Sequence, residues 1–433
     1  MRVVKLPELM LRLIDFRKGD PLPEPALVAL GPEVLEATRA IIGRVRTEGD
    51  AALVSLTKEL DGADIAGRIE VPEDEIKSAA SATPAELRRA IDHMAERLVA
   101  FHTRQLPEEW TATEAGVEFG ETVRPLASAG CYVPGGLAAY PSTVLMTVVP
   151  AKVAGVARAV VCSPPGSDGN LPAAVLYAAA TAKADAVYRV GGAQAIAAMA
   201  FGTESVEPVD KIVGPGNVWV TAAKSEVAGS VGIDGLNGPT ELVVVADESA
   251  EPETLAVDLV AQAEHDPLAR TTLICTEVTL VERVNACIGG EVEASTRRDV
   301  VEEALGNAVG IVVENEDDAA VIVDRMAPEH LQVVTENPAG FLSRVRSYGA
   351  AFLGPSTPVS FGDYGIGSNH VLPTMATARF SSGLRAADFV TVSSVVDASR
   401  DGLERYGEEV ETLAEAEGLP GHARASRIRR KRR

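Results

Sequence analysis

The 433-residue sequence is poor in several things, and each shortage excludes something. It has four cysteines, Cys131, Cys162, Cys275 and Cys287, with no C-x-x-C pair. That is too few for a disulfide-stapled scaffold and fits reduced thiols in the cytoplasm. Positive charge is scarce: 40 Lys and Arg against 62 Asp and Glu give a formal net charge of -22. Nucleic acid is therefore not expected as a partner, because phosphate binding needs a basic surplus on one face. The one basic block is the terminal RIRRKRR, 427–433, which as a run of like charge reads as a solvated, disordered end. No stretch of about eighteen apolar residues occurs, so no membrane helix is expected. The opening MRVVKLPELMLRLIDFRKGD also lacks the apolar segment and cleavage site of a signal peptide. Aromatics make up 4%, and there are six histidines.

What remains is a soluble α/β pattern. At roughly 150 residues per domain the length implies two or three domains. Val34–Arg46, Asp50–Leu60 and Pro84–Arg104 carry apolar residues at three- and four-residue spacing and predict helices. Val117–Val123 and Ser128–Val133 suit strands. From residue 150, short β-branched runs alternate with Ala-rich helical stretches: Ala159–Cys162, Ala186–Val190 and Lys211–Val213, then Glu241–Ala246, Thr271–Cys275, Val309–Val313, Leu331–Val334 and Ala350–Leu353. Near-continuous apolar strands separated by helices predict parallel sheets buried on both faces. The fold class expected is α/β, two tandem Rossmann-like units with GLNGPT (235–240) as the crossover. The sheet pattern ends past Ser381, and an amphipathic helix, Arg400–Glu417, follows; it has no core of its own and should dock elsewhere.

Three glycine loops follow strands: Pro134-Gly-Gly, Gly191-Gly192 and Gly214-Pro-Gly216. In a parallel sheet they share the carboxyl edge, where ligands bind. The last is an incomplete G-x-G-x-x-G, with Trp219 in place of the third glycine, so a dinucleotide at that helix N-terminus stays open. His93 and His102 sit on one amphipathic helix and read as structural. Gln262 and His265 lie one helical turn apart, Glu329 and His330 are adjacent, and Asp363, His370 and His422 fall in loops. Spacing alone leaves a metal open, since Gln is a poor zinc ligand. The Glu329-His330 pair offers two bases of different intrinsic pKa. Metal plus acid–base pair suits either alcohol oxidation or metal-assisted hydrolysis.

The stretches CYVPGGLAAYPSTVLM, VGGAQAIAAMAFGTESV, VDKIVGPGN, GPTE, DLVAQAEHDP, APEHL, GDYGIGSNHVLPT, ARFSSGL and AEAEGLPGHA occur in the order found in histidinol dehydrogenases, and the chain resembles that family over nearly its whole length. The resemblance implies an aldehyde-dehydrogenase-like pair of sheets and oxidation of L-histidinol through the aldehyde to L-histidine, with two NAD and one zinc. It implies zinc ligands at Gln262, His265, Asp363 and His422, and an acid–base pair at Glu329 and His330. Substrate contacts fall on Thr240, Gln262, His265, His330, Asp363, Glu417 and His422, and NAD contacts on Tyr132, Gln194 and Asn217. It also implies a homodimer in which the tail of one subunit completes the other's site. The organisation expected is an arm over 1–25, a first α/β domain over 26–130 plus 240–383 with the zinc and acid–base residues, an NAD domain over 131–239, and a helical tail over 384–433.

Three departures stand out: Thr240 where many members have Ser, Val359 where Glu is frequent, and Val390-Thr391-Val392 without a common Lys-Arg. Thr240 and Val359 lean toward relatives such as sulfopropanediol dehydrogenase, whose sulfonate needs a cation, with Arg379 available. Tyr364, Phe380 with its two serines, and Glu417 fit the histidinol branch. A zinc hydrolase using Glu329, and a thiohemiacetal mechanism on Cys131, are the remaining rivals.

Overall fold

The computed structural model describes residues 11–24, 30–135 and 139–431. A short strand, β1 (Arg12–Asp15), precedes four helices: α1 (Pro32–Glu48), α2 (Asp50–Leu60), α3 (Glu73–Ala82) and α4 (Ala85–His102). Pro32 opens α1 at a position where its missing N–H costs nothing, and Gly49 ends it at φ 57°. A hairpin of β2 (Trp110–Glu114) and β3 (Val117–Pro125) follows.

The first parallel unit threads β4 (Ser128–Tyr132), α5 (Pro141–Val153), β5 (Arg158–Cys162), α6 (Ala173–Thr181), β6 (Ala186–Tyr188), α7 (Gly192–Phe201), β7 (Lys211–Val213), α8 (Val218–Val227) and β8 (Gly232–Ile233). Its strand order is β6-β5-β4-β7-β8, all parallel. The order reverses between β4 and β7, and such a switch point opens a crevice at the carboxyl edge. Side chains alternate across the sheet: Ala129, Cys131, Ala159 and Val161 meet α3–α6, whereas Tyr132, Val160 and Cys162 meet α1, α2, α7 and α8.

The second unit threads β9 (Glu241–Ala246), α9 (Pro252–Ala263), β10 (Arg270–Cys275), α10 (Val278–Ala294), α11 (Arg298–Leu305), β11 (Val309–Val312), α12 (Glu316–Met326), β12 (His330–Val334), α13 (Pro338–Leu342) and β13 (Ala350–Leu353). Its order is β1-β11-β10-β9-β12-β13, again parallel, with the reversal between β9 and β12. Leu242 and Val244 pack under α9–α11, while Val243 and Val245 pack under α12 and α13. Beyond it lie α14 (Ser360–Asp363), β14 (Val390–Ala398), α15 (Arg400–Ala416) and α16 (Pro420–Lys431). Among the described residues no helix is long and apolar enough to cross a membrane.

Four expectations change. The helices of 30–102, expected with the second unit, cover the five-stranded sheet of the first, α3 and α4 beside α5 and α6, α1 and α2 beside α7 and α8. A parallel sheet needs both faces covered, and the apolar stripes of Ile42, Val45, Leu53, Ile91 and Leu98 supply that cover. Of the expected N-terminal arm, Arg12–Asp15 are no separate piece, since β1 pairs with β11 at the sheet edge, and residues 1–10 and 25 lie outside the described residues. Sheet structure does not end at Ser381: β14 pairs antiparallel with β3, Val390 opposite Pro125 through Ala398 opposite Val117. Nor is the basic end free. Within α16, Arg427 pairs with Glu411 at 3.0 Å and with Glu415, and Arg430 with Glu411 at 3.0 Å, so the acidic face of α15 takes up its charge. Arg432 and Arg433 lie outside the described residues.

Candidate active site

The crossover from β8 to β9 spans only residues 234–240, so the carboxyl edge of the five-stranded sheet faces the amino edge of the six-stranded one. Between them, at the reversal of β9 and β12, a polar cluster forms. Thr240 precedes β9 and donates its hydroxyl to Glu329 Oε2 at 2.5 Å, while the Glu241 N–H donates to the same oxygen at 2.9 Å. Gln262, near the end of α9, donates Nε2 to the Thr240 hydroxyl at 2.5 Å. His330 opens β12 with Nδ1 3.4 Å from Glu329 Oε2 and 3.1 Å from the Glu241 carbonyl. A carbonyl only accepts, so Nδ1 carries a proton and Nε2 is the atom turned to Asp363, 4.0 Å from Oδ1. The other carboxylate oxygen of Asp363 is 4.0 Å from His265 Nε2. His370 closes the ring, bonding the Asp363 carbonyl at 3.0 Å through Nδ1 and the Thr143 hydroxyl at 3.1 Å through Nε2.

Glu329 and His330 are 7% and 3% exposed. Burial is the largest influence on both and opposes both charges, but their mutual attraction outweighs it, helped on the carboxylate by Thr240 and the Glu241 N–H. Glu329 is held below the usual carboxylate range and His330 well above the usual imidazole range. Beside His265 a cleft of about 610 Å³ opens, lined by Tyr140, Glu264, Arg97, Arg297 and Tyr364. That is room for a small substrate.

Glu241 shows the opposite shift from Glu329. Burial first, then the charge of Glu329, pushes its carboxyl up to about 8, and its Oε2 has no hydrogen-bond partner among the described residues. A carboxyl raised on folding stabilises below its unfolded pKa, and that stability is lost as pH climbs through about 8. At about 1.4 kcal/mol per pK unit the loss amounts to a few kcal/mol. Glu241→Gln is therefore expected to flatten the fall in unfolding temperature between about pH 5 and about pH 9. Thermal melts of both proteins check this, and parallel curves would contradict it.

The cofactor-type loops do gather. Tyr132 ends β4 at the switch point, and its hydroxyl accepts the Gly192 N–H at 3.0 Å. A Cβ at Gly191 would collide with Pro164, and one at Gly214 with the Tyr132 carbonyl, so the ends of β4, β5, β6 and β7 close on one another. Gln194 is fully buried, its Nε2 3.4 Å from Asp61, its Oε1 without a partner among the described residues. Asn217 caps α8, accepting from the Trp219 and Val220 N–H groups. Gly136 of the Pro-Gly-Gly loop lies outside the described residues.

Comparison with known proteins bears on the whole of this architecture. The sequence profile of histidinol dehydrogenase matches residues 30–430. The chain is 47% identical over 399 residues to a histidinol dehydrogenase of Geobacillus kaustophilus, covering 92% of this chain and 94% of that one. It is 48% identical over 390 residues to one of Natronomonas pharaonis, covering 90% and 92%. It belongs to the histidinol dehydrogenase family. The crystal structure of histidinol dehydrogenase from Elizabethkingia anophelis superposes with a TM-score of 0.91 at 33% identity, over 97% of this chain and 98% of that one. Two parallel-sheet units are thus the fold of this family, as the alternation of runs and helices predicts.

Of the residues that the family resemblance singles out, one chain brings together Thr240, Gln262, His265, Glu329, His330 and Asp363. It does not bring Glu417 or His422, which are exposed at the α15–α16 turn. Among the described residues no three His, Cys, Asp or Glu side chains form a metal-holding group. The residues present still fit a zinc ion in part. His265 Nε2 and Asp363 Oδ2 are donors of the kinds zinc takes and face each other at 4.0 Å, and Gln262 is one turn from His265. The residues that sequence reasoning missed are Glu241, which serves through its backbone and leaves no side-chain signal, and Thr143, inside a quoted stretch but unremarked.

Proposed function

We propose that this chain oxidises L-histidinol, through L-histidinal, to L-histidine, the last step of histidine biosynthesis, in the cytoplasm. The observation that carries the reading is the buried Glu329–His330 pair facing Asp363, in a chain matched by histidinol dehydrogenases over nine-tenths of its length. When bound, NAD supplies the acceptor for each of two hydrides, and zinc a positive charge that orients and polarises the substrate. Gln262, His265 and Asp363 would hold the zinc, with His422 of the partner subunit as the fourth ligand. Tyr132, Gln194 and Asn217 would line the NAD site. His330, fixed through Nδ1 by the Glu241 carbonyl, takes the hydroxyl proton at Nε2 in its neutral form, which its raised pKa of about 9 makes the alkaline form of the site. Glu329 is ionised, the state a base needs; its hydrogen bonds among the described residues fall on Oε2, which leaves Oε1 to take a proton from the water that adds to the aldehyde.

The homodimer belongs to the same proposal. The three-stranded sheet β14-β3-β2 and the α15–α16 hairpin expose Val392, Val395, Val396, Val410, Leu413 and Leu419 at 42–69%. An apolar arm carrying the two missing site residues, Glu417 and His422, fits docking on a second copy.

The two departures that favoured a sulfonate substrate lose their force. Val359 is 4% exposed and packs in the core under α9 and α10. Thr240 keeps the hydroxyl on Glu329. Arg379 is engaged with the Ala376 carbonyl at 2.9 Å and lies over Phe380. The test is NADH formation from L-histidinol and from dihydroxypropanesulfonate in parallel. Turnover of histidinol that requires NAD is expected; none, with turnover of the sulfonate, would sink the proposal, and product formation without NAD would favour a hydrolase.

A further inference from the structure

The fold buries an ion pair that the chemistry above does not use. Lys224, on α8, and Asp234, just past β8, have side chains 2% and 6% exposed, with Nζ 2.6 Å from Oδ1. Both reach one residue, Gly214. Lys224 Nζ donates to its carbonyl at 2.5 Å, and Asp234 Oδ2 accepts its N–H at 2.7 Å. Gly214 sits at φ 116° against the Tyr132 carbonyl, so it has no room to shift toward β4. Three residues on is Asn217.

The other side of Asp234 runs straight to the catalytic cluster. Its Oδ1 also accepts the Gly235 N–H at 2.8 Å. The crossover is then fixed by the Thr221 hydroxyl on the Asn237 carbonyl at 2.5 Å and by the Gly238 N–H on the Thr374 hydroxyl at 2.6 Å. It ends at Thr240, whose hydroxyl holds Glu329. One seven-residue segment thus ties the Gly214-Pro-Gly216 loop at one end to the acid–base pair at the other.

We propose that Lys224 and Asp234 are positioning residues that hold the Gly214-Pro-Gly216 loop in register for the dinucleotide, an inference that rests on the assignment of Asn217 to the NAD site. Two dehydrated charges are a costly way to pin a loop that only needed packing, and a hydrophobic pair of like volume would stabilise the fold as well. What the pair adds is a charged hydrogen bond to each backbone group of Gly214.

The experiment uses the full-length enzyme with zinc. Two variants are compared with wild type: Asp234→Asn, and the double variant Lys224→Met with Asp234→Leu, which leaves no unpaired buried charge. The expected result is a KM for NAD raised about tenfold or more, with the KM for histidinol and kcat at saturating NAD each within about threefold. Thermal melts show whether each variant is folded, and the double variant is expected to melt near wild type. A lower melting temperature with both KM values unchanged in the two variants would assign the pair to stability alone and overturn the proposal. Asn217→Ala is the control. Weaker NAD binding there, with none in the pair variants, overturns only the positioning role; no effect of Asn217→Ala on NAD binding takes down the cofactor assignment and this inference with it.

Discussion

His330→Ala lowers kcat by about 10²- to 10⁴-fold, the range for losing a positioned acid–base group, whereas Cys131→Ala keeps most of the activity. The geometry separates the two. His330 has one nitrogen committed to the Glu241 carbonyl and the other turned to Asp363 and the cleft side of the cluster. Among the described residues nothing else in the cluster presents an imidazole at that point: His265 lies across Asp363, and both nitrogens of His370 are engaged. Cys131 is fully buried in the middle of β4, and burial pushes its thiol up to about 12. The attacking species in a thiohemiacetal mechanism is the thiolate, which that environment suppresses. Because alanine also leaves a void at a buried position, His330→Asn is the companion variant, read by kcat at saturating histidinol and NAD together with a melt. Activity of either His330 variant within about tenfold of wild type, or an inactive Cys131→Ala that still folds, would reverse the assignment.

The same contrast between local and long-range information explains what the sequence revealed. The central strands are legible to within a residue because a parallel strand buried on both faces must be an apolar run; ELVVVA at β9 and VGIV at β11 are such runs. By the same reasoning β14 escapes notice. VTVSSVVDA lies at a sheet edge with eight of its nine residues exposed, so no burial imposes an alternation. The helices α1–α4 announce an apolar stripe, but a stripe does not say which sheet it meets, and the domain assignment of 26–130 failed there. The basic end illustrates the limit of reading charge locally: its partners, Glu411 and Glu415, belong to the preceding helix and become neighbours only when α16 folds back.

At the site, Glu329 beside His330 and Gln262 one turn from His265 are local patterns and were visible as such. The contacts that give them meaning are not local. Thr240 and Glu329 are 89 residues apart, and the groups that fix the tautomer and the carboxylate are the carbonyl and N–H of Glu241. Backbone groups carry no residue signature, so only the pairing of β9 with β12, His330 opposite Leu242, brings them into view.

Mixing two inactive variants, His330→Ala and His422→Ala, restores roughly a quarter of wild-type activity once subunits exchange, if the arm completes the site of its partner. Random exchange makes half the dimers mixed. In each of those, one site combines both substitutions and the other combines neither, so half the sites of half the dimers are intact. The structure motivates the experiment from two directions. His422 is exposed on α16, in an arm built from β14, α15 and α16, and is absent from the cluster that holds His265 and Asp363. The same arm displays apolar side chains, Val396 at 69% and Leu413 at 64% exposure, that a monomer leaves in water. If instead each chain supplied its own His422 by swinging the arm inward, both variants would be dead at every site and mixing would recover nothing. Tagging one variant and recovering the untagged one with it on an affinity resin distinguishes that outcome from a failure to exchange, because mixed dimers are then present and the activity still missing.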